Sequence, residues 1–124
     1  MTPMPKKQAP EPFLPVTPAM FHVLLSLADG EKHGYAILKE ISRRTGGKVR
    51  LSAGTLYGIV HRLLEGGLIV ESDERPDPAL DDERRRYYRL TGLGRRVAVA
   101  EAERMEELLV TARARKLLRR PQTV

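Results

Sequence analysis

The stretch that decides the fold runs from residue 51 to residue 69 and reads LSAGTLYGIVHRLLEGGLI. Ser52 is a favoured N-cap residue and Gly66-Gly67 is a typical helix end, so a helix is predicted between them. Its apolar residues recur at helical spacing and are expected to face the core: Leu56, Ile59, Val60, Leu63 and Leu64. The opposite face carries small, polar and basic residues: Ala53, Thr55, Gly58, His61, Arg62 and Glu65.

A second helix is predicted just before this one. It opens at His33-Gly34, continues through YAILKEISRRTG (35–46) and ends at Gly46-Gly47. Residues 48–51 form a short connector, interpreted as a loop or a small strand. Two helices joined in this way, the second with a small-residue outer face at its N-terminal half, are typical of a helix-turn-helix.

The helix at the start of the domain is apolar most of the way round. Thr17-Pro18 is a favourable helix start, and AMFHVLLSLAD (19–29) runs to a stop at Gly30. Its apolar residues cover more than one face, which indicates burial on two sides. One side is expected to serve its own domain and the other a second subunit.

A β-hairpin is predicted directly after the central helix. Residues 68–75 are β-capable, RRRYYRL (84–90) alternates between two faces, and PDPALDD (76–82) is a turn rich in proline and aspartate. A hairpin in this position is the wing of a winged helix. The predicted fold class is therefore mainly α with a small β-hairpin, a winged helix-turn-helix over residues 17–91.

A long C-terminal helix is predicted over residues 92–120, capped by Thr91 and followed by a short tail, 121–124. At 1.5 Å per residue it would be roughly 40 Å long. A small head cannot cover such a helix, so a partner helix from a second copy is expected. The candidate residues for a dimer interface or a ligand pocket are Phe21, Leu24, Met105, Leu108, Leu109 and Ala112.

Residues 1–16 are expected to form a disordered or extended arm, because they contain five prolines and few apolar side chains. Lys6 and Lys7 are interpreted as solvated tail residues rather than as a binding site. The basic C-terminal run RARKLLRR (113–120) is likewise interpreted as favourable charge near a helix end.

The charge is unevenly distributed. The chain has 22 basic and 16 acidic residues, a net charge of +6, which favours polyanionic partners. Residues 68–83 hold seven acidic residues and one arginine, whereas residues 84–90 hold four arginines and no acid. The acidic turn would be repelled by DNA, so its tip is expected either to point away from a duplex or to cap the neighbouring arginines.

Several classes of protein are disfavoured. The chain has no cysteine and no apolar run long enough for a membrane span or a signal peptide, so a cytoplasmic protein is expected, nucleoid-associated if bacterial. The three histidines lack metal-ligand spacing, and neither a metal nor a cofactor is expected. No nucleophile elbow, P-loop or dinucleotide motif is present, so an enzyme is not expected.

The candidate DNA-binding residues fall into two groups. On the central helix they are Ser52, Thr55, Tyr57, His61 and Arg62, and on the returning strand of the wing Arg84, Arg85, Arg86 and Arg89. Ser52 and Thr55 could serve only as caps, Tyr57 could lie half in the core, and Arg62 could pair with Glu65 instead of DNA. Four arginines in six positions favour phosphate neutralisation over a merely solvated strand.

Three segments together resemble the PadR-like transcriptional regulators: HGYAILKEI (33–41), SAGTLYGIVHRLLEGGLI (52–69) and RRYYRLTGLG (85–94). The resemblance covers about residues 20–105. It implies a winged helix-turn-helix with its recognition helix at Gly54 to Tyr57 and a basic-aromatic wing strand at Arg85 to Tyr88. The single C-terminal helix is similar to that of the shorter subfamily. Gly58 departs from the family pattern, which often has proline or a larger residue there.

The resemblance also implies a function. It implies a homodimeric DNA-binding regulator, a repressor of nearby genes that binds double-stranded DNA at a pseudo-palindromic operator. It further implies relief of repression by a small aromatic or drug-like ligand. The alternative is a winged-helix protein-interaction module that does not read DNA.

Overall fold

The computed structural model describes residues 8–72 and 86–119. Four helices and three short strands make up this part of the chain. The helices are α1 (Pro18–Leu27), α2 (Gly34–Arg44), α3 (Ala53–Glu65) and α4 (Gly92–Ala114), and the strands are β1 (Lys32–His33), β2 (Ile69–Ser72) and β3 (Tyr87–Leu90). This confirms the predicted fold class, a winged helix with a long C-terminal helix.

The strands form one antiparallel sheet with β3 in the middle, between β1 and β2. Ile69 pairs with Leu90 and Ser72 with Tyr87, so the predicted hairpin is confirmed. The turn that joins these strands, including the PDPALDD segment, lies outside the described residues.

The sequence did not predict one short strand, β1, and the connector at residues 48–51 is a loop, one of its two predicted forms. His33, expected to open a helix, lies in β1 opposite Tyr87 and also provides the N-cap of α2. Residues 48–51 form no strand; instead the Thr45 hydroxyl accepts the backbone N–H of Val49 at 3.1 Å. A two-residue strand exists because β3 lies beside it, and no local pattern reveals that neighbour.

The core lies where α1, α2 and α3 pack against one another and the sheet. Its fully buried aliphatic side chains include Val23, Leu24, Ile37, Ile41, Leu56, Leu63, Ile69 and Val97. The predicted inner face of α3 is confirmed, since Leu56, Ile59, Val60 and Leu63 are all buried. None of the helices within the described ranges combines the length and apolarity needed to cross a membrane.

Side-chain caps begin the major helices as predicted. Thr17 accepts the N–H of Met20 at 3.2 Å, Ser52 that of Thr55 at 3.1 Å, and Thr91 that of Gly94 at 3.0 Å. α3 ends in a Schellman arrangement, with Leu68 N–H donating to the Leu63 carbonyl at 2.9 Å and Gly67 at φ +74°.

The last helix is shorter than predicted, because α4 ends at Ala114 rather than near Arg120. The N–H of Leu117 returns to the carbonyl of Ala112 at 2.9 Å, and Lys116 has a left-handed backbone with φ 61°. Glycine usually occupies that position, so a lysine there provides no stop signal in the sequence. The 23 residues of α4 correspond to about 35 Å.

The described part of the N-terminal arm, residues 8–16, packs on the domain, and residues 1–7 lie outside the described residues. Glu11–Phe13 forms a 3-10 turn, and Val16 is buried and donates its N–H to Glu101 at 3.2 Å. Glu101 is itself fully buried, and Arg104 approaches its carboxylate to 2.5 Å. The hydrogen bond from Arg104 lowers the pKa of Glu101, which therefore stays ionised and holds the arm on α4.

Candidate nucleic-acid interface

The outer face of α3 is open and almost free of bulk. Ser52, Ala53, Thr55, Gly58, His61 and Arg62 are all exposed. A Cβ atom placed on Gly54 or Gly58 would meet nothing within 4 Å. Another surface can therefore approach this part of the helix to backbone distance.

Ser52 and Thr55 are hydrogen-bonded to each other at the start of this face. The Ser52 hydroxyl accepts the Thr55 N–H and donates to the Thr55 hydroxyl at 2.9 Å. Capping is therefore established for Ser52. Thr55 is the acceptor in the hydroxyl bond, so its own proton can still be donated outward.

His61, not Arg62, pairs with Glu65. His61 Nε2 lies 2.9 Å from a Glu65 carboxylate oxygen, and both side chains are about two-thirds exposed or more, at 71% and 68%. Such an exposed pair contributes about 1 kcal/mol or less, so another hydrogen-bonding group can displace it. Arg62, expected to have Glu65 as its alternative partner, is exposed beside it.

Tyr57 bridges α3 and the beginning of α2. Its side chain is 44% exposed, consistent with the half-core interpretation. A Cβ atom on Gly34 would lie 3.2 Å from the Tyr57 hydroxyl and 3.4 Å from a Leu56 methyl. The ring therefore covers the first residue of α2, with its hydroxyl end against Gly34.

His33 joins the start of α2 to the wing strand, a role that the sequence reasoning missed. Its Nδ1 accepts the N–H of Ala36 at 3.1 Å, and its ring contacts Tyr87 edge-on with centroids 5.4 Å apart. Tyr35 stacks at 6.4 Å on His33 and lies 4.8 Å beneath the Lys39 ammonium. The sequence features that could have indicated this contact are the HGY motif (33–35) and the adjacent tyrosines Tyr87 and Tyr88. Only the pairing of β1 with β3 brings them together.

The wing strand presents part of the predicted arginine cluster. Arg86 and Arg89 are exposed, and Arg86 Nε lies 3.7 Å from a Glu71 oxygen on β2. Tyr88 points inward, and its burial raises the pKa of its hydroxyl, which stays protonated. Arg84 and Arg85 lie outside the described residues.

A second surface lies between α1 and α4. This α1–α4 groove encloses about 500 Å³ and is lined by Phe21, Leu25, Ala102, Met105, Glu106, Leu109, Val110 and Arg113. Leu24, expected at such a surface, is fully buried in the subunit's own core and cannot reach it. Leu25, which is 39% exposed, takes its place. Leu108 and Ala112 lie on α4 beside the lining residues.

The chain is similar to known transcriptional regulators. The model of the transcriptional regulator PadR-like family matches residues 23–100. Transcriptional regulator Rv3488 of Mycobacterium tuberculosis is 40% identical over 87 residues, 70% of this chain and 75% of that protein.

Two solved structures support the same grouping. A transcriptional regulator from Clostridium thermocellum superposes with a TM-score of 0.63 at 27% identity, covering 81% of this chain and 89% of that one. A PadR family regulator from Eggerthella lenta gives 0.58 at 27% identity, covering 82% and 83%. With the α3 face, the wing strand and the long α4 all in place, the chain belongs to the PadR-like family of transcriptional regulators.

Proposed function

We propose that this regulator is a homodimeric repressor that binds a pseudo-palindromic operator and releases it when a small aromatic or drug-like ligand binds. The observation that carries the DNA-reading part is the outer face of α3, which is exposed, small and polar beside exposed arginines of the wing. Such a face can enter the major groove closely enough to reach base edges.

Within this proposal the residues divide into two tasks. Thr55, His61 and Arg62 contact bases, because they lie on the open face of α3. Ser52, Tyr57 and the wing arginines Arg84, Arg85, Arg86 and Arg89 contact phosphates, which position the protein without specifying sequence.

The proposed dimer is supported by what the subunit leaves uncovered. The buried residues of α4 are Leu93, Gly94, Val97 and Glu101, all in its first ten positions. Beyond them Leu108, Leu109 and Val110 are exposed, at 58%, 41% and 59%. A run of exposed apolar residues on half of a helix is stabilised by a partner.

The proposed ligand site is the part of the α1–α4 groove that the second subunit does not cover. The groove of the single subunit encloses about 500 Å³, and Phe21 and Met105 offer apolar, polarisable walls. A ligand wedged there would change the separation of the two heads. Titrating hydrophobic aromatic compounds into the protein–operator complex should release the DNA with saturation, whereas release that never saturates would contradict a specific site.

The function is tested by selecting bound duplexes from a randomised pool at low salt. We expect enrichment of a two-fold-symmetric sequence whose half-sites are about 10 base pairs apart. Thr55→Val, which keeps the side-chain shape and removes the hydroxyl, should enrich a different half-site. If no sequence is enriched and the DNA upstream of the gene is not bound, the proposal fails and a protein-interaction module is favoured.

The wing arginines give a separate prediction. Arg86→Ala combined with Arg89→Ala should weaken binding to all sequences alike and reduce the slope of log K against log salt by about 4, because each subunit of the proposed dimer loses two phosphate contacts. Fluorescence anisotropy at several salt concentrations measures both effects. Arg115→Ala with Arg119→Ala removes the same charge beyond the end of α4 and is the control. Equal slopes for the two double variants would contradict phosphate contacts by the wing.

A further inference from the structure

The α4 wall of the α1–α4 groove carries one acid and one base around an apolar centre. Leu109 and Val110 form that centre. Glu106 stands three positions before Leu109, and Arg113 stands three positions after Val110. The spacing between the charged and the apolar residues is therefore the same in both directions along the helix, whereas the order of the acid and the base is reversed.

Neither charged residue has an opposite charge within reach on its own helix. Side chains three and four positions apart are neighbours on a helix. For Glu106 these positions hold Ala102, Glu103, Leu109 and Val110, and for Arg113 they hold Leu109, Val110, Lys116 and Leu117. Neither residue takes part in the ion pairs found among residues 8–72 and 86–119. Both charges thus face a groove whose complement lies outside the subunit.

We infer that two copies pair their α4 helices antiparallel, about a two-fold axis that passes between Leu109 and Val110. Glu106 of each subunit then faces Arg113 of the partner subunit, and the symmetry repeats this ion pair on both sides of the axis. The apolar pairs of the two subunits meet at the axis. The inference rests on the proposed homodimer and adds its orientation and register.

Charge distinguishes this arrangement from the parallel one. In a parallel pair, Glu106 would face Glu106 of the partner subunit and Arg113 would face Arg113 of the partner subunit, and both contacts are repulsive. In the antiparallel pair both contacts are attractive. Of the antiparallel registers, only the one whose axis passes between Leu109 and Val110 places Glu106 opposite Arg113 of the partner subunit.

The antiparallel register also gives a suitable separation of the heads. Val97, which is fully buried and anchors α4 to its head, lies twelve positions before Leu109. Twelve residues of helix span about 18 Å, so the two anchors lie about 36 Å apart along the paired helices. One turn of DNA between successive major grooves spans about 34 Å. The separation of the two anchors is therefore close to one turn of DNA.

Charge reversal tests the register. Glu106→Arg and Arg113→Glu should each raise the dimer dissociation constant about tenfold or more, because two attractive pairs become two repulsive ones. The double variant, E106R with R113E, should return to within about threefold of the wild type. An equimolar mixture of the two single variants should form heterodimers in preference to either homodimer. Sedimentation and native mass spectrometry measure these species.

Glu107→Arg is the matched control, because it reverses an adjacent glutamate that does not line the groove. It should leave the dissociation constant near that of the wild type. If Glu106→Arg weakens the dimer no more than Glu107→Arg does, or if the double variant is not restored, the register is wrong while the homodimer stands. A wild-type chain that is monomeric at tens of micromolar would instead remove the homodimer itself. Circular dichroism confirms that each variant is folded.

Discussion

Gly94→Ala is expected to destabilise the head by about 3 kcal/mol or more, which lowers the melting temperature by about 10–20 °C. A Cβ atom on Gly94 would lie only 1.9 Å from the carbonyl oxygen of Leu68 and 2.9 Å from its carbonyl carbon. Both are backbone atoms just after α3, so no side-chain rotation can relieve the overlap. The start of α4 would have to move away from the end of α3.

The same junction is held by hydrogen bonds that this movement would break. Thr91 donates its N–H to Leu68 at 3.0 Å and its hydroxyl to the carbonyl of Gly67 at 2.6 Å. The junction joins the recognition helix to the proposed dimerisation helix, so its loss should also disturb the spacing of the two heads.

Thermal and urea denaturation measure the effect of Gly94→Ala. Gly92→Ala, two positions earlier, is the control, because its Cβ would meet only the flexible end of Arg96 at 3.4 Å. We expect the Gly92 variant to melt near the wild-type temperature. Equal midpoints for the two variants would show that the close approach at Gly94 does not constrain the fold.

Leu109→Glu is expected to convert the protein to a monomer and to lower operator affinity about a hundredfold or more. Leu109 lines the α1–α4 groove and is 41% exposed in the single subunit, so a glutamate there is tolerated by the monomer. In the proposed dimer the two introduced carboxylates would lie close together and away from water. Operator affinity falls because two linked heads bind far more tightly than one.

Sedimentation and anisotropy on the selected operator measure this result. Leu109→Met keeps a similar volume and apolarity and should remain dimeric. The melting temperature of Leu109→Glu should stay near that of an isolated head, since the buried residues of α4 end at Glu101. A Leu109→Glu protein that remains dimeric with unchanged affinity would show that the groove is not the interface.

Helix α3 illustrates how much the sequence alone predicts. Its N-cap at Ser52, its inner face from Leu56 to Leu63 and its glycine end were all predicted and are all confirmed. Each of these features depends on neighbours within about four positions along the chain, where helical periodicity and capping operate. The same holds for the cap at Thr91.

The proposed interface shows what the sequence alone does not predict. Leu24 and Leu25 are adjacent and chemically identical, yet one is fully buried and the other opens onto the α1–α4 groove. Because the apolar pattern of α1 covers more than one face, it cannot show which of the two leucines is buried. That depends on where α4 crosses α1. In the same way, the end of α4 at Ala114 depends on a left-handed lysine that no local rule favours.

The sequence by itself determined the helices, the hairpin and the outward face of α3, because local spacing and capping encode them. Only the tertiary structure decided the contacts between distant segments: β1 beside β3, His33 against Tyr87, Val16 on Glu101 and Gly94 on Leu68. These contacts arise because the segments pack so closely that the shape of one limits which side chains another can place against it. Periodicity along a single segment carries no information about that limit.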